Sequence, residues 1–239
     1  MDNYNNETYV DYDRSRAAGL SAFMTRVYGW MSAGLAISGV TAFLFLIFVS
    51  PLGIYRSPLF SLAAIGVQFA LVIGLSAKLK TMRPATAKTL YCLYAVVSGI
   101  TLSYIFLVYS GMPLVIFKAF LMTAVFFVTM TIFGMTTKSD LSGAGRMFMA
   151  ALVTVIIVSV VNFFLGSALI EYIICYVGVA IFIGLTAYDT QKMKSFYITS
   201  SESAGAEMTS KAAIYGALQL YLDFINIFIY LLRILGRKR

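Results

Sequence analysis

The feature that most constrains this chain is the spacing of its charges, which divide it into long uncharged apolar runs. A helix needs about 20 apolar residues to cross a bilayer. Because backbone groups in lipid must be hydrogen-bonded internally, such runs predict helices. The fold class predicted is therefore all-α, a polytopic bundle of seven transmembrane helices over residues 27–49, 57–77, 89–109, 119–137, 147–170, 172–188 and 212–232.

The composition excludes a soluble protein. Hydrophobic residues make up 60% of the chain and charged residues 12%, whereas about a quarter of the residues in a soluble domain are charged. Residues 1–26 are polar and lack the apolar core of a signal peptide, so we predict a soluble cytoplasmic N-terminal tail. Residues 27–232 are predicted to form the transmembrane domain, and residues 233–239 a basic C-terminal tail. The prolines fall at or beside the predicted span ends, as expected if the spans are helical.

The orientation follows from Lys and Arg in the short connections, which favour the cytoplasm. The connections after spans two, four and six hold nine bases, whereas those after spans one, three and five hold two, Arg56 and Lys118. We therefore predict that the even-numbered connections and the N-terminus are cytoplasmic. The basic C-terminal tail then lies outside, against the positive-inside rule, unless the last segment is re-entrant. We prefer seven full crossings.

The residues that are missing exclude much chemistry. There is no His, and Cys92 and Cys175 both fall inside apolar runs. The sequence offers no His–metal site and no Ser–His or Cys–His nucleophile, so we expect a protein without catalytic residues or a cofactor. The net charge of +8 comes from bases at the ends of apolar runs. That pattern favours contact with the lipid bilayer and its anionic headgroups rather than with nucleic acid.

Asp223 is the most informative residue, because it lies about 15 Å deep in the last span at a rise of 1.5 Å per residue. A charge there is costly, so the side chain must face the bundle interior, face a watery cavity or be neutral. It belongs to a stripe of polar residues on one helix face, spaced by 4, 4, 3 and 4 residues: Tyr215, Gln219, Asp223, Asn226 and Tyr230. The stripe is typical of a helix that lines a polar path, and also of a helix buried at the centre of a bundle.

Asp189 is a second candidate, at the cytoplasmic end of the sixth run. The sixth helix either ends there or continues past Asp189, with Lys192 and Lys194 extending outward toward the headgroups. Alone, Asp189 is equally typical of an interfacial acid.

Two carboxylates that lie close together in a low dielectric cannot both ionise cheaply, so one holds a proton. Such a pair switches with pH and, when ionised, attracts a hard cation such as calcium. If the sixth span ends near Phe196, Asp189 lies about 10 Å from that end, whereas Asp223 lies about 18 Å from Lys211 along the last span. Helix tilt or a deeper start of the last span must close this gap.

Three stretches resemble signature segments of one family: VSGITL at 97–102, AYDTQ at 187–191 and LYLDFIN at 220–226. They look like those of the Bax inhibitor-one family, also called the transmembrane Bax inhibitor motif family. The resemblance covers about residues 20–236. The chain is most similar to the bacterial branch, which implies an integral protein of the bacterial inner (plasma) membrane.

The resemblance implies a bundle whose last helix is central, and a pH-sensitive calcium leak whose two-aspartate sensor maps onto Asp189 and Asp223. It also implies a basic latch at the cytoplasmic end of the second helix that holds the pair closed. Here that stretch offers Lys80, then Lys78 and Arg83, and each is equally typical of a loop charge that sets topology. The stretch 199–210 is expected to be a flexible cytoplasmic connection.

The function predicted is a calcium leak channel gated by protonation of the aspartate pair. The alternative is a non-catalytic partner that modulates another membrane protein, such as a membrane protease or a stress regulator. An intramembrane aspartyl protease is disfavoured. Such enzymes resemble one another in Gly-x-Gly-Asp at the second aspartate and in a later Pro-Ala-Leu, whereas this chain has LYLD at 220–223 and no proline after Pro113.

Overall fold

A computed structural model describes residues 2–48, 58–79 and 81–237, with side-chain environments for 14–48, 59–60, 63–79, 81–200 and 205–237. Gly205, with φ 68° and ψ 166°, interrupts the last helical stretch, and we name the segments on either side of it α6 and α7. The helices are α1 (Asp2–Phe48), α2 (Pro58–Lys78), α3 (Pro84–Val108), α4 (Pro113–Thr136), α5 (Ser142–Leu165), α6 (Ala168–Ser200) and α7 (Gly205–Gly236).

Prolines begin three of the helices. Pro58, Pro84 and Pro113 are each the first residue of a helix, a position where the missing N–H costs no hydrogen bond and the fixed φ suits the helix. The prediction that prolines mark the span ends is confirmed for these three, and Pro51 lies outside the described residues. The helix α1 begins at Asp2, so the predicted tail over 1–26 is helical over its described part.

The fifth predicted span has the wrong boundaries. It was expected over 147–170, but α5 ends earlier because Gly166 adopts the left-handed conformation, with φ 63°. The sixth was expected over 172–188 with a continuation past Asp189 left open, and α6 does continue to Ser200, so Asp189 lies inside a helix. Apolar runs locate the spans well, but they do not reveal how far a helix continues beyond the lipid.

The connection expected to be flexible over 199–210 is helical except at Gly205. The polar composition of this stretch suggested a loop, but polar residues also form helices outside the membrane. Gly205 supplies the single non-helical conformation that separates α6 from α7, in a region of φ and ψ that essentially only glycine adopts.

Six helices in the described part of the chain are long and apolar enough to cross a membrane, and α2 contributes the shorter apolar stretch Ala63–Lys78. Large apolar side chains are exposed on the outside of the bundle, as expected where lipid replaces water. They include Phe43, Phe69, Phe120, Ile157, Phe163 and Leu169. The prediction of an all-α polytopic bundle is confirmed.

The helix connections gather at two ends of the bundle. At one end, the Lys211 Nζ of α7 donates to the Met82 carbonyl between α2 and α3, at 3.2 Å. At the opposite end, the Arg237 guanidinium after α7 donates to the Ala168 carbonyl at the start of α6, at 3.1 Å. We call the first the basic end, because the described parts of the even-numbered connections meet there, with bases such as Lys138 and Lys192. The helix α7 runs from this end to the other, as expected if the last segment crosses fully.

The last helix is central, as predicted. The Tyr221 hydroxyl of α7 lies 2.6 Å from the Ser38 hydroxyl of α1. The ring of Phe224 contacts Phe127 of α4 with centroids 5.6 Å apart, and the side chain of Tyr230 contacts Phe182 of α6. Small side chains and edge-to-face rings let these helices approach closely.

Candidate functional site

A cavity of about 420 Å³ lies between α7 and the four helices α2, α3, α5 and α6. We call it the aspartate cavity, because Asp189 of α6 and Asp223 of α7 both line it. Its wall is mainly apolar, with polar side chains from three more positions on α7 and from α2 and α3. These are Gln219, Asn226, Tyr230, Gln68, Tyr94, Ser98 and Thr101.

Asp189 lies in a part of α6 that packs closely against α4. A Cβ at Gly134 of α4 would lie 2.4 Å from the Ala187 carbonyl oxygen and 3.0 Å from the Thr190 Cβ, so this position requires glycine. Asp189 itself is 7% exposed. Its Oδ1 lies 4.0 Å from the Nζ of Lys192, one turn along α6. The Lys192 side chain is 41% exposed, so this ion pair is weak.

Asp223 is buried more deeply, with 3% of its surface exposed. Its Oδ2 has no hydrogen-bond partner among the described residues, and neither has the Oε1 of Gln219, one turn earlier on α7. Buried polar atoms are normally hydrogen-bonded, because leaving one unpaired away from water is costly. The unpaired oxygens in the cavity are therefore suited to bind a proton, a water molecule or a cation.

The polar stripe of α7 divides between two cavities. Gln219, Asp223, Asn226 and Tyr230 line the aspartate cavity, whereas Tyr215 lines a separate cavity of about 660 Å³ at the basic end. The Asn226 side-chain amide donates to the Leu222 carbonyl at 2.8 Å, within its own helix. Because the stripe follows one face of α7, it passes from one cavity to the other.

Tyr221 fixes the position of α7 on the side away from Asp223. Its buried hydroxyl lies 2.6 Å from the Ser38 hydroxyl of α1 and donates to the Ser98 hydroxyl of α3 at 2.8 Å. The Ser38 hydroxyl also contacts the Ala95 carbonyl at 2.7 Å. The sequence did not single out this network, although Ser98 and Tyr221 both fall in the signature stretches.

Two of the three candidate latch residues do not pair with the aspartates. Lys78, at the end of α2, and Arg83, before α3, are exposed, and neither forms an ion pair within the part of the chain that the structure describes. Lys80, the preferred candidate, lies outside the described residues. The base beside Asp189 is Lys192, which the sequence suggested as a topology charge or as a lysine extending outward from a continued sixth helix, and not as a latch.

The oxygen donors of the cavity suit a hydrated cation. Within the described residues no group of three or more His, Cys, Asp or Glu side chains could hold a metal ion. Asp189 and Asp223 supply carboxylates, and Gln219 and Asn226 supply amide oxygens. Calcium takes about six to eight oxygen ligands, so an ion here would keep water in its shell. That suits a transported ion better than a permanently bound one.

The chain matches known proteins over nearly its whole length. The family model described as inhibitor of apoptosis-promoting Bax1 matches residues 20–239. The Escherichia coli inner membrane protein YbhL is 41% identical over 226 residues, 93% of this chain and 94% of that protein. An uncharacterised protein of Borreliella burgdorferi is 38% identical over 91% of this chain and 92% of its own length. An uncharacterised membrane protein of Streptococcus pyogenes is 35% identical over 96% of this chain and 98% of its own length.

These matches confirm the resemblance that the three signature stretches suggested, including its bacterial branch. With its membrane-spanning helices and its similarity to YbhL, the protein is an integral protein of a bacterial inner membrane. The chain belongs to the Bax inhibitor family.

Proposed function

We propose that this protein is a pH-sensitive leak channel for calcium ions, gated by protonation of Asp189 and Asp223. The observation that carries the proposal is the unpaired Oδ2 of Asp223 in a cavity that Asp189 also lines. Protonation changes the charge of this cavity by one or two units, and a buried charge acts strongly on a passing cation. The passage of calcium would therefore depend on pH.

The arrangement of the two cavities supports a path along α7. The cavity at the basic end and the aspartate cavity are both lined by the polar stripe of this helix, through Tyr215 in the first and Gln219 in the second. Hydroxyl, amide and carboxylate oxygens are the ligands that a hard cation prefers. A calcium ion that moves along α7 would meet such oxygens in both cavities.

The sign of the pH dependence follows from charge. Ionised carboxylates attract bases from the basic end, and removing one partner of such a pair strands the other charge. Lys192, 4.0 Å from Asp189, is a base already in position. This pair lies within α6, so it places a cation beside Asp189 and does not join two helices. Protonation of Asp189 releases the Lys192 ammonium group from this position and removes a positive charge that repels calcium, so we expect acidification to raise calcium flux.

The test is calcium flux in proteoliposomes that contain the purified full chain and an internal calcium indicator, measured from acid to neutral pH. Wild-type flux should rise as the pH falls. Asp223→Asn and Asp189→Asn should each flatten this dependence, because a single carboxyl group has no charged partner to repel. Glu171→Gln, which changes an exposed acid in the first turn of α6, should keep the wild-type profile.

Two results would contradict the proposal. If the protein only modulates a membrane partner, liposomes with and without it would pass calcium equally. If Asp223→Asn keeps the wild-type pH profile while flux is present, the chain is a channel with a different gate.

A further inference from the structure

The larger cavity, about 660 Å³, lies at the basic end between the α4–α5 connection, the second half of α6 and the start of α7. We call it the lysine cavity. Its charged and hydroxyl-bearing lining comes mainly from two places, the α4–α5 connection and one stretch of α6. It includes Lys138, Ser139, Ser142, Lys192, Lys194 and Thr199.

The lysine cavity has an excess of positive charge. Asp140 is the only carboxylate among its described lining residues, set against three lysines. Asp140 is already engaged, since its Oδ1 accepts a hydrogen bond from the Ser142 N–H at 2.9 Å. Hydrogen bonds from the Ser142 side chain and backbone lower the pKa of the Asp140 carboxyl. Because α5 begins at Ser142, the positive end of its dipole also lies here.

The connection that forms one wall of the cavity is held in place by Gln191 of α6. The Leu141 N–H donates to the Gln191 Oε1 at 2.8 Å, and the Gln191 Nε2 donates to the Ser139 carbonyl at 2.8 Å. Lys194 adds a third tie, because its Nζ donates to the Met135 carbonyl of α4 at 2.7 Å. The lysine cavity is therefore a preformed site, and Lys138 and Lys192 can serve a ligand without rearrangement of the backbone.

We propose that the lysine cavity binds a phosphate group, with the ammonium groups of Lys138 and Lys192 as its main ligands. Lysine is a common phosphate ligand, and helix N-termini favour anions. The rings of Tyr188 and Phe196 and the side chain of Ile198 also line the cavity and would contact the carbon part of a phosphate ester. The phosphate belongs either to an anionic lipid of the cytoplasmic leaflet or to a soluble polyphosphate.

Lys192 makes this site communicate with the aspartate cavity. It lines the lysine cavity and also lies 4.0 Å from Asp189. A phosphate that takes the ammonium group leaves the Asp189 carboxylate without its cation. Binding of phosphate and pairing with Asp189 therefore oppose each other, and the opposition is reciprocal because both are equilibria. This coupling does not depend on whether the protein conducts calcium.

Two titrations test the proposal on the purified full chain. Inorganic tripolyphosphate is titrated into the protein in a neutral detergent and followed by calorimetry. In the second arm, native mass spectrometry counts the phosphatidylglycerol molecules retained after extraction from phosphatidylcholine vesicles with and without phosphatidylglycerol. Lys138→Gln and Lys192→Gln should each weaken binding by about five- to tenfold, as expected for one partly exposed charged contact. Binding in one arm alone identifies the source of the phosphate and supports the site.

The matched control is Lys88→Gln, which removes the same charge from an exposed position at the basic end, outside the cavity. Equal losses in Lys88→Gln and Lys192→Gln, or no binding in either arm, would overturn the site. Asp189→Asn should tighten binding by about two- to fivefold, because it frees Lys192 from a weak ion pair. Unchanged affinity in Asp189→Asn would overturn the shared use of Lys192.

Discussion

The Nζ of Lys192 lies 4.0 Å from the Oδ1 of Asp189, and these two side chains line different cavities. The pair lies on successive turns of α6, so it needs no movement of one helix against another to form or break. It connects the charge state of the aspartate cavity to the solution at the basic end, where the Lys192 side chain is partly exposed.

The first prediction concerns this ion pair. A nearby cation favours the ionised form of Asp189, so its removal in Lys192→Gln should let protonation occur at higher pH. The midpoint of the pH dependence of calcium flux should rise by about 0.1–0.7 units, the equivalent of an exposed ion pair worth about 0.2–1 kcal/mol. Lys88→Gln serves as the control. A midpoint that does not move would show that Lys192 has no part in gating.

The second prediction concerns the two aspartates as a unit. The double variant Asp189→Asn/Asp223→Asn should have the pH profile of the more severe single variant, because interacting carboxyl groups titrate together. The measurement is the same flux assay with all three variants at matched protein density. Additive effects of the two substitutions would mean that the groups act independently.

A third prediction concerns the approach of α4 to α6. Gly134→Ala places a methyl group 2.4 Å from the Ala187 carbonyl oxygen, and we expect a loss of about 1–3 kcal/mol in the free energy of unfolding. Gly39→Ala in α1 is the control, since a Cβ there meets no atom within 4 Å. The free energy of unfolding of both variants would be measured in mixed micelles that contain increasing amounts of a denaturing detergent. Equal stability of the two variants would argue against the close contact.

The fourth prediction concerns Tyr221. Tyr221→Phe removes the hydroxyl that joins Ser38 of α1 to Ser98 of α3. Interhelical hydrogen bonds in membranes contribute about 0.6 kcal/mol on average and at most about 1.7 kcal/mol, so we expect a loss of about 1 kcal/mol in unfolding. The exposed Tyr176→Phe should be neutral by the same measurement. A neutral Tyr221→Phe would show that the network adds no stability.

The fifth prediction concerns orientation. Reporter fusions at Lys138 and near Ser203 should report the cytoplasm, and a fusion at Gly111 should report the outside, because the bases gather in the even-numbered connections. A fusion after Arg239 should also report the outside, since α7 runs the length of the bundle. A cytoplasmic signal there would contradict the seven-crossing topology.

Much of the fold could be predicted from the sequence, because charges and prolines interrupt the apolar runs where helices end. Pro84 and Pro113, for example, begin α3 and α4. The ends set by backbone conformation could not be predicted this way. Gly166 terminates α5 through a positive φ, and nothing in the surrounding apolar residues distinguishes it from a glycine within a helix.

For the candidate site, depth in the apolar runs identified Asp189 and Asp223, because a buried acid stands out against a lipid background. The partner of Asp189 was less predictable. Lys192 and the bases Lys78 and Arg83 look alike in sequence, and only the helical continuation of α6 beyond Tyr188 places Lys192 on the turn after Asp189. The hydrogen bonds between Gln191 and the α4–α5 connection join residues that are far apart in sequence, so no local pattern predicts them.

The two contacts at the ends of α7 limit how this helix can move. Lys211 holds its first part to the Met82 carbonyl, and Arg237, just after its end, holds the Ala168 carbonyl. A shift of α7 by one turn, about 5.4 Å along its axis, would break both end contacts and the Tyr221 hydrogen bonds in the middle. While these contacts remain, Asp223 keeps its position along the bundle, and a change at the aspartate cavity has to come from rotation of its side chain.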